Sequence, residues 1–248
     1  HLLARRNFLV GTMVVGVAFF ALTGVNVVFP LWLQTTVGYT ATWAGLAVAP
    51  DGVLTLLAAP IVGRNMNRMN LRLAVSFAFC VFGSAIYWTG TLNDTASFAQ
   101  FATPRLLQGL GIAFFFLPLN QILLSGVSSA ELASASGLSN FVRTMAGSIA
   151  TALTVLTWNR RTDFHHAVLS ENIRGSAGAW NAYQSQLGEH GVAGTNALQY
   201  VDHVISSQAT TLGVNDLFHV LAWMCLVLVP FVWFARPPFR AGGAGAAH

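Results

Sequence analysis

Six unbroken apolar stretches, at residues 8–33, 43–62, 71–92, 98–124, 134–158 and 214–235, constrain this chain more than anything else in it. Each is long enough to cross about 30 Å of hydrocarbon, which takes about 20 helical residues. A backbone in lipid must satisfy its own hydrogen bonds, so only helices or a closed barrel can span. Barrel strands would show as alternating segments of about ten residues, and these runs do not alternate. The expected fold class is therefore an all-α membrane protein with six transmembrane helices. Composition agrees: 8% of the 248 residues are charged, where a soluble domain needs roughly 25% to cover its surface.

All twelve basic residues are arginine, and their placement predicts orientation. Arg5 and Arg6 precede the first span, Arg64, Arg68 and Arg72 separate the second from the third, and Arg236 and Arg240 follow the sixth. Six spans put these groups on one side, and the positive-inside rule makes that side the cytoplasm. The expected division is residues 1–158 for spans one to five, 159–213 for a long outer loop, 214–235 for the last span and 236–248 for a cytoplasmic tail. Arg160, Arg161 and Arg174 fall in the outer loop, which is permitted because long loops cross largely regardless of charge. Within that loop Leu198, Val201, Ile205 and Leu212 recur at helical spacing and predict a short amphipathic helix. Trp180, Tyr183 and Tyr200 suit a membrane interface. The loop reads either as a connector or as a surface for a partner.

Several classes are disfavoured. The net charge of +4 forms no contiguous basic patch of the kind nucleic acid needs. Cys80 and Cys225, far apart in apolar runs, form neither a disulfide framework nor a metal signature; they read as small buried hydrophobes. Asp163, His165 and His166 are too few to hold a metal. No nucleophile elbow or phosphate loop gives enzymatic chemistry a seat. No signal peptide pattern occurs, and the chain opens on His1 rather than Met, so a longer protein is expected.

Ionisable residues inside spans are costly and are functional candidates by default. Asp51 lies well inside the second span, Arg105 in the fourth, followed by Gln108, and Arg143 in the fifth, after Asn140. They line a water-filled cavity, with Asp51 as a group that could exchange a proton, or they form structural ion pairs and snorkelling side chains. Ala133, Gly137 and Ala146-Gly147-Ser148 in the fifth span, and Gly109 and Gly111 in the fourth, predict close helix packing. Pro30, Pro50, Pro60, Pro104 and Pro118 interrupt the first, second and fourth spans, which is tolerated where neighbours or water satisfy the freed carbonyls.

Arg105-Leu106-Leu107-Gln108-Gly109-Leu110-Gly111 resembles the R-x-x-Q-G-x-G element of major facilitator transporters, found in the fourth span of a six-span half. The stretch from Gly63 and Arg64 through Arg68 to Arg72 resembles the basic gating loop between spans two and three, with Asn65 and Asn67 in a stretch that normally carries an acidic residue. Gly38-Tyr39-Thr40-Ala41-Thr42-Trp43-Ala44-Gly45-Leu46, Phe116-Leu117-Pro118-Leu119, Ser139-Asn140-Phe141-Val142-Arg143-Thr144 and Trp233-Phe234-Ala235-Arg236-Pro237-Pro238-Phe239 look like EmrB/QacA-type 14-span drug:proton antiporters. The resemblance covers nearly the whole chain and implies the C-terminal half of such a transporter, one six-helix half of a major facilitator. It further implies alternating access around a midplane site between two halves, and a cavity lined by spans one, two, four and five. Asn26, Trp32, Asp51, Arg105, Gln108, Asn120, Asn140 and Arg143 are then the candidates for substrate or proton contact. It implies lipophilic drugs and protons as cargo, the inner membrane as location, the remaining N-terminal half as partner, and a proton gradient in place of any cofactor. An EmrA-type periplasmic adaptor and a TolC-type outer-membrane channel are implied in the same way. A metabolite exporter or uniporter of the same superfamily, or a non-transporting membrane assembly subunit, are the alternative readings.

Overall fold

The computed structural model describes residues 5–66, 68–175, 195–235, 237 and 239. Asn67, Trp180, Tyr183, Arg236, Pro238 and Arg240, on which some of the expectations above rest, lie outside them, as does most of the tail from 236. The side chain of Arg174 is likewise outside the description.

Among the described residues six helices follow one another: α1 Arg6–Thr35, α2 Ala41–Asn65, α3 Leu71–Thr89, α4 Phe98–Leu124, α5 Leu132–Gly175 and α6 Thr195–Val232. No strand occurs among the described residues. Five of them, all but α5, are long and apolar enough to cross a membrane. α5 has ample length, but Arg143, Thr144, Thr151, Thr154 and Thr157 thin its apolarity. The chain is an all-α membrane protein.

The ends are set by local chemistry. Thr40 Oγ1 accepts from the Trp43 amide at 3.3 Å to start α2, and Asn70 Oδ1 accepts from the Arg72 amide at 3.1 Å to start α3, each taking up a donor that a helix start leaves orphaned. At the start of α4 the Gln100 side chain accepts from the Ser97 amide at 2.7 Å. Gly126 turns the chain between α4 and α5 with φ of +75°, a conformation that side chains with a Cβ resist.

α5 and α6 differ from the expected plan. The stretch read as a loop from 159 to 213 is helical through Gly175 and again from Thr195. The predicted amphipathic helix around Leu198–Leu212 is thus the first part of α6 rather than a separate piece. Leaving an apolar run ends a span but does not end a helix. The extension is held by α5–α6 contacts: Trp158 Nε1 donates to the Thr210 carbonyl at 3.2 Å, and Asp216 Oδ2 lies 2.6 Å from Arg161 Nη2 and 2.7 Å from His165 Nε2. Gly213 does not terminate anything; a Cβ there would stand 2.7 Å from Thr162 Oγ1. It is a contact point between two helices.

The packing pattern repeats. α4 lies against α2, α3 and α1, while α1 lies against α5, α6 and α4, and α3 packs on α6. Exchanging α1–α3 for α4–α6 turns the first set of contacts into the second, as nested three-helix repeats require. Only the long α5–α6 pair breaks the pattern, because these helices continue together beyond the others. Two cores are stacked along α1. One gathers Phe29, Trp32, Phe101 and Phe218; the other gathers Phe8, Phe79, Phe115 and Leu119. Cys225 belongs to the first core, whereas Cys80 is exposed, so only one cysteine is a buried hydrophobe.

At one end of the bundle α1, the α4–α5 turn and the end of α6 are tied together. Arg5 donates to the Gly126 carbonyl at 2.5 Å and to Glu131 at 2.7 Å, Asn7 donates to Ser125 at 3.0 Å, and Arg6 donates to the Phe234 carbonyl at 2.8 Å. At the other end Asp94, between α3 and α4, accepts from Ser207 of α6 at 3.0 Å.

Candidate functional site

Arg105 and Gln108 stand one turn apart on α4, so their side chains share a face. That face meets α1 and α2. Arg105 is fully buried, and its Nη1 donates to Asn26 Oδ1 at 3.1 Å and to Gln108 Oε1 at 3.2 Å. The same nitrogen lies 3.8 Å from Asp51 Oδ2, and the guanidinium carbon lies 3.9 Å from the centre of the Phe29 ring. Ion pair, amide oxygens and ring face offset part of the cost of taking a guanidinium out of water, while Arg105 Nε and Nη2 and Gln108 Nε2 have no hydrogen-bond partner. Asp51 is the more open partner: its side chain keeps 15% exposure while that of Arg105 has none.

The glycines of the same motif explain how the helices come close enough. A Cβ on Gly109 would run into the backbone of Asp51, and one on Gly111 would stand 2.9 Å from Phe82 Cβ of α3. Thr55 closes the joint, its hydroxyl lying 2.7 Å from the Asp51 carbonyl and 2.8 Å from the Gly109 carbonyl. Charge, amide and two glycines in seven residues thus fasten α4 to three neighbours.

A second polar cluster surrounds Arg143 on α5. Arg143 donates to Asn120 of α4, whose own Nδ2 donates to the Phe116 carbonyl at 2.8 Å. The guanidinium carbon lies 5.1 Å from the centre of the Phe19 ring and 5.2 Å from that of Phe116. A pocket of about 160 Å³ opens beside it, lined by Asn120, Ser136, Ser139, Asn140 and Arg143 together with Leu123 and Leu124.

No protein-family model matches the sequence. Individual relatives do. The chain is 40% identical over 249 aligned positions to the multidrug export protein EmrB of Escherichia coli, covering all of this chain and 49% of that protein. It is 39% identical over 235 positions to EmrB of Haemophilus influenzae, covering 94% of this chain and 46% of the relative. To the fatty acid resistance protein FarB of Neisseria gonorrhoeae it is 35% identical over 240 positions, 97% of this chain and 47% of the relative. The chain is a homologue of the EmrB-type exporters. It spans about half the length of the curated relatives it matches.

In this EmrB-like chain the eight interior candidates divide into two clusters and one outlier. Asn26, Asp51, Arg105 and Gln108 form the first cluster, and Asn120, Asn140 and Arg143 belong to the second. Trp32 stands apart. It is fully buried in the first core, with its ring 5.6 Å from Phe101 and its Nε1 donating to Thr211 of α6 at 3.4 Å. Of the loop candidates, Gly63 and Arg64 form the last turn of α2 and are exposed, as is Arg68. Arg72 donates to the Ala235 carbonyl and faces the rings of Trp233 at 5.8 Å and Phe239 at 5.5 Å, which ties α3 to the end of α6. Residue-type reasoning overlooked Ser136, Ser139, Thr55 and the aromatic partners Phe19 and Phe29. The serines were within reach, since Ser136, Ser139, Asn140 and Arg143 recur at helical spacing as one polar stripe. Of the expected packing glycines, Gly137 has nothing within 4 Å of where a Cβ would stand, and Gly147 meets only the side chain of Thr23; both lie on α5 away from tight contact.

Proposed function

We propose that this chain is the C-terminal half of a proton-coupled multidrug exporter that works by alternating access in the inner membrane. Similarity along this chain to about half the length of proteins named for multidrug export and fatty acid resistance supports lipophilic small molecules as cargo. Arg5, Arg64, Arg68 and Arg72 share the end of the bundle at which α1 starts and α2 meets α3, and the positive-inside rule favours that end as cytoplasmic. The α5–α6 extension then stands on the periplasmic side, where an EmrA-type adaptor leading to a TolC-type channel would meet it.

One observation carries the mechanism: a fully buried Arg105 shared between the carboxylate of Asp51 on α2 and the amide oxygens of Asn26 and Gln108. A proton taken up by Asp51 removes the attraction between α2 and the guanidinium but leaves the amide contacts of α1 and α4. Loss of that proton restores it. The site can therefore hold two states that differ in how α2 is fastened, the kind of element that couples a proton to a change of access. The test is drug uptake into everted vesicles carrying the full-length transporter. Accumulation that collapses with an uncoupler is expected; drug movement indifferent to the gradient would rule out proton coupling.

A further inference from the structure

The two arginines placed inside the bundle are not equivalent: Arg105 is fully buried, whereas Arg143 is half-buried. Arg105 has Asp51 at 3.8 Å, whereas no carboxylate among the described residues lies within 4 Å of Arg143. A cation placed in a membrane helix is costly without a counter-charge, and neither Asn120 nor the rings of Phe19 and Phe116 supply one. Arg143 Nε has no partner, and neither has the hydroxyl of Ser139, one turn earlier and only 4% exposed. Both residues line the 160 Å³ pocket. Asn120 is already committed, through its amide to Phe116 and through its oxygen to Arg143. The pocket lining thus carries two donors without an acceptor, Arg143 Nε and the Ser139 hydroxyl, both enclosed, beside the exposed Asn140 amide, with one formal positive charge and no negative charge. Such a set selects an anion. The volume admits a head of a few atoms and not a whole drug, and Phe116, 37% exposed, offers an apolar surface beside it.

We propose that this pocket is a subsite for the carboxylate of an amphiphilic organic acid, held by Arg143, Ser139 and Asn140 with its apolar body against Phe116. Its role in cargo selection rests on the export reading, but the binding step does not. An acidic lipid headgroup offers similar chemistry and is separated from the organic acid by the choice of bilayer.

The experiment uses the full-length transporter in phosphatidylcholine nanodiscs, with no gradient. Equilibrium binding of labelled dodecanoate is compared with that of methyl dodecanoate and dodecyltrimethylammonium. Arg143→Gln is expected to weaken dodecanoate by at least about tenfold, the equivalent of one charge-assisted hydrogen bond, and to leave the ester and the ammonium unchanged. Arg143→Lys should recover most of the loss, and Ser139→Ala should weaken dodecanoate by about threefold. An unaltered Tm for each variant keeps a folding defect from mimicking the effect. Dodecanoate binding that survives Arg143→Gln, or a loss shared equally by all three probes, would overturn the proposal. So would loss of dodecanoate binding on adding phosphatidylglycerol, because the lipid would then be the occupant. Arg143-dependent binding without gradient-driven export would leave this subsite standing and remove the export reading; export without such binding would do the reverse.

Discussion

Arg105 carries its charge into a fully buried position held by Asn26, Gln108 and Asp51, so removing the side chain strands three polar partners at once. Arg105→Ala in the full-length transporter is expected to cost about 3–5 kcal/mol, the usual penalty for breaking a buried charged network from one side, and to abolish transport. The double variant Asp51→Asn with Arg105→Gln removes both charges and should regain most of the Tm. If transport stays lost while Tm returns, the pair has a role beyond holding the fold; if transport returns as well, the pair is only structural. Gly109 gives a purely steric contrast. Gly109→Ala pushes a methyl into the Asp51 backbone and should cost about 1–3 kcal/mol, whereas at Gly63 a methyl meets nothing closer than Leu117 Cδ1 at 3.9 Å. Gly63→Ala should therefore be neutral or gain up to about 1 kcal/mol from helix propensity, and thermal unfolding of the two variants side by side checks the difference. The sequence made Arg105, Gln108, Gly109 and Gly111 legible as a group because their spacing places them on adjoining faces of one helix. It could not name Asp51 and Asn26 as the partners, since that depends on which helices pack together. Trp32 is a cavity candidate through the resemblance alone; its indole N–H faces Thr211 inside the core, a pairing that no spacing in the sequence reveals.

Between residue and molecule, the helices divide into those whose ends hydropathy marks and those whose ends it does not. α4 begins and ends where its apolar run does, because Ser97 with Gln100 starts it and Gly126 turns the chain just after it. α5 and α6 outrun theirs because each is the other's support. Asn159, Arg160 and Arg161 close the apolar run without offering any backbone reason to stop a helix, and Gly213, which resembles a terminator in the sequence, is the point where α6 touches α5. Gly213→Ala would drive a methyl to 2.7 Å from Thr162 Oγ1 and is expected to loosen the extension while leaving the bundle intact. Amide hydrogen exchange should then quicken over 159–175 and 196–213 and stay slow over 14–33; equal quickening everywhere would mean that the extension is not a separate unit. At the opposite end, Glu131 clamps the α4–α5 turn to α1. The Ser128 hydroxyl, and after it the charge of Arg5, hold its carboxyl below the usual glutamate range despite some opposing desolvation. A lowered folded-state pKa means that the clamp is fully present above the ordinary value near 4.3 and is lost as pH falls through the lowered one. Tm of the wild type and of Glu131→Gln should thus differ at neutral pH and converge in acid, by the small margin that exposed pairs allow.

As a whole, the chain has two helices, α2 and α5, that occupy equivalent places in the repeated packing pattern and leave apolar faces uncovered. Val53, Leu56, Leu57 and Ile61 of α2 are exposed, as are Phe141, Met145, Ile149 and Leu153 of α5. Lipid could cover these faces without any partner, because hydrocarbon is as apolar as leucine. Small residues are more telling, since close backbone approach drives helix association in a bilayer. Gly45 and Gly52 on α2 and Gly137 on α5 have nothing within 4 Å of where a Cβ would stand, so no contact inside this bundle requires them to be glycine. On the proposed function, contact with the other half of the transporter would. The chain also spans about half the length of its relatives, and a midplane site between two halves needs both. Expressed alone, this half is expected to insert and to leave drug accumulation unchanged. Expressed with the remaining half as a separate chain, it should restore efflux and co-purify with that half. Gly45→Leu and Gly137→Leu, which meet open space here, should leave the stability of the isolated half within about 0.5 kcal/mol of wild type, as surface substitutions do, yet weaken co-purification. Unimpaired assembly in both variants would assign these faces to lipid and leave the contact between the halves to other surfaces.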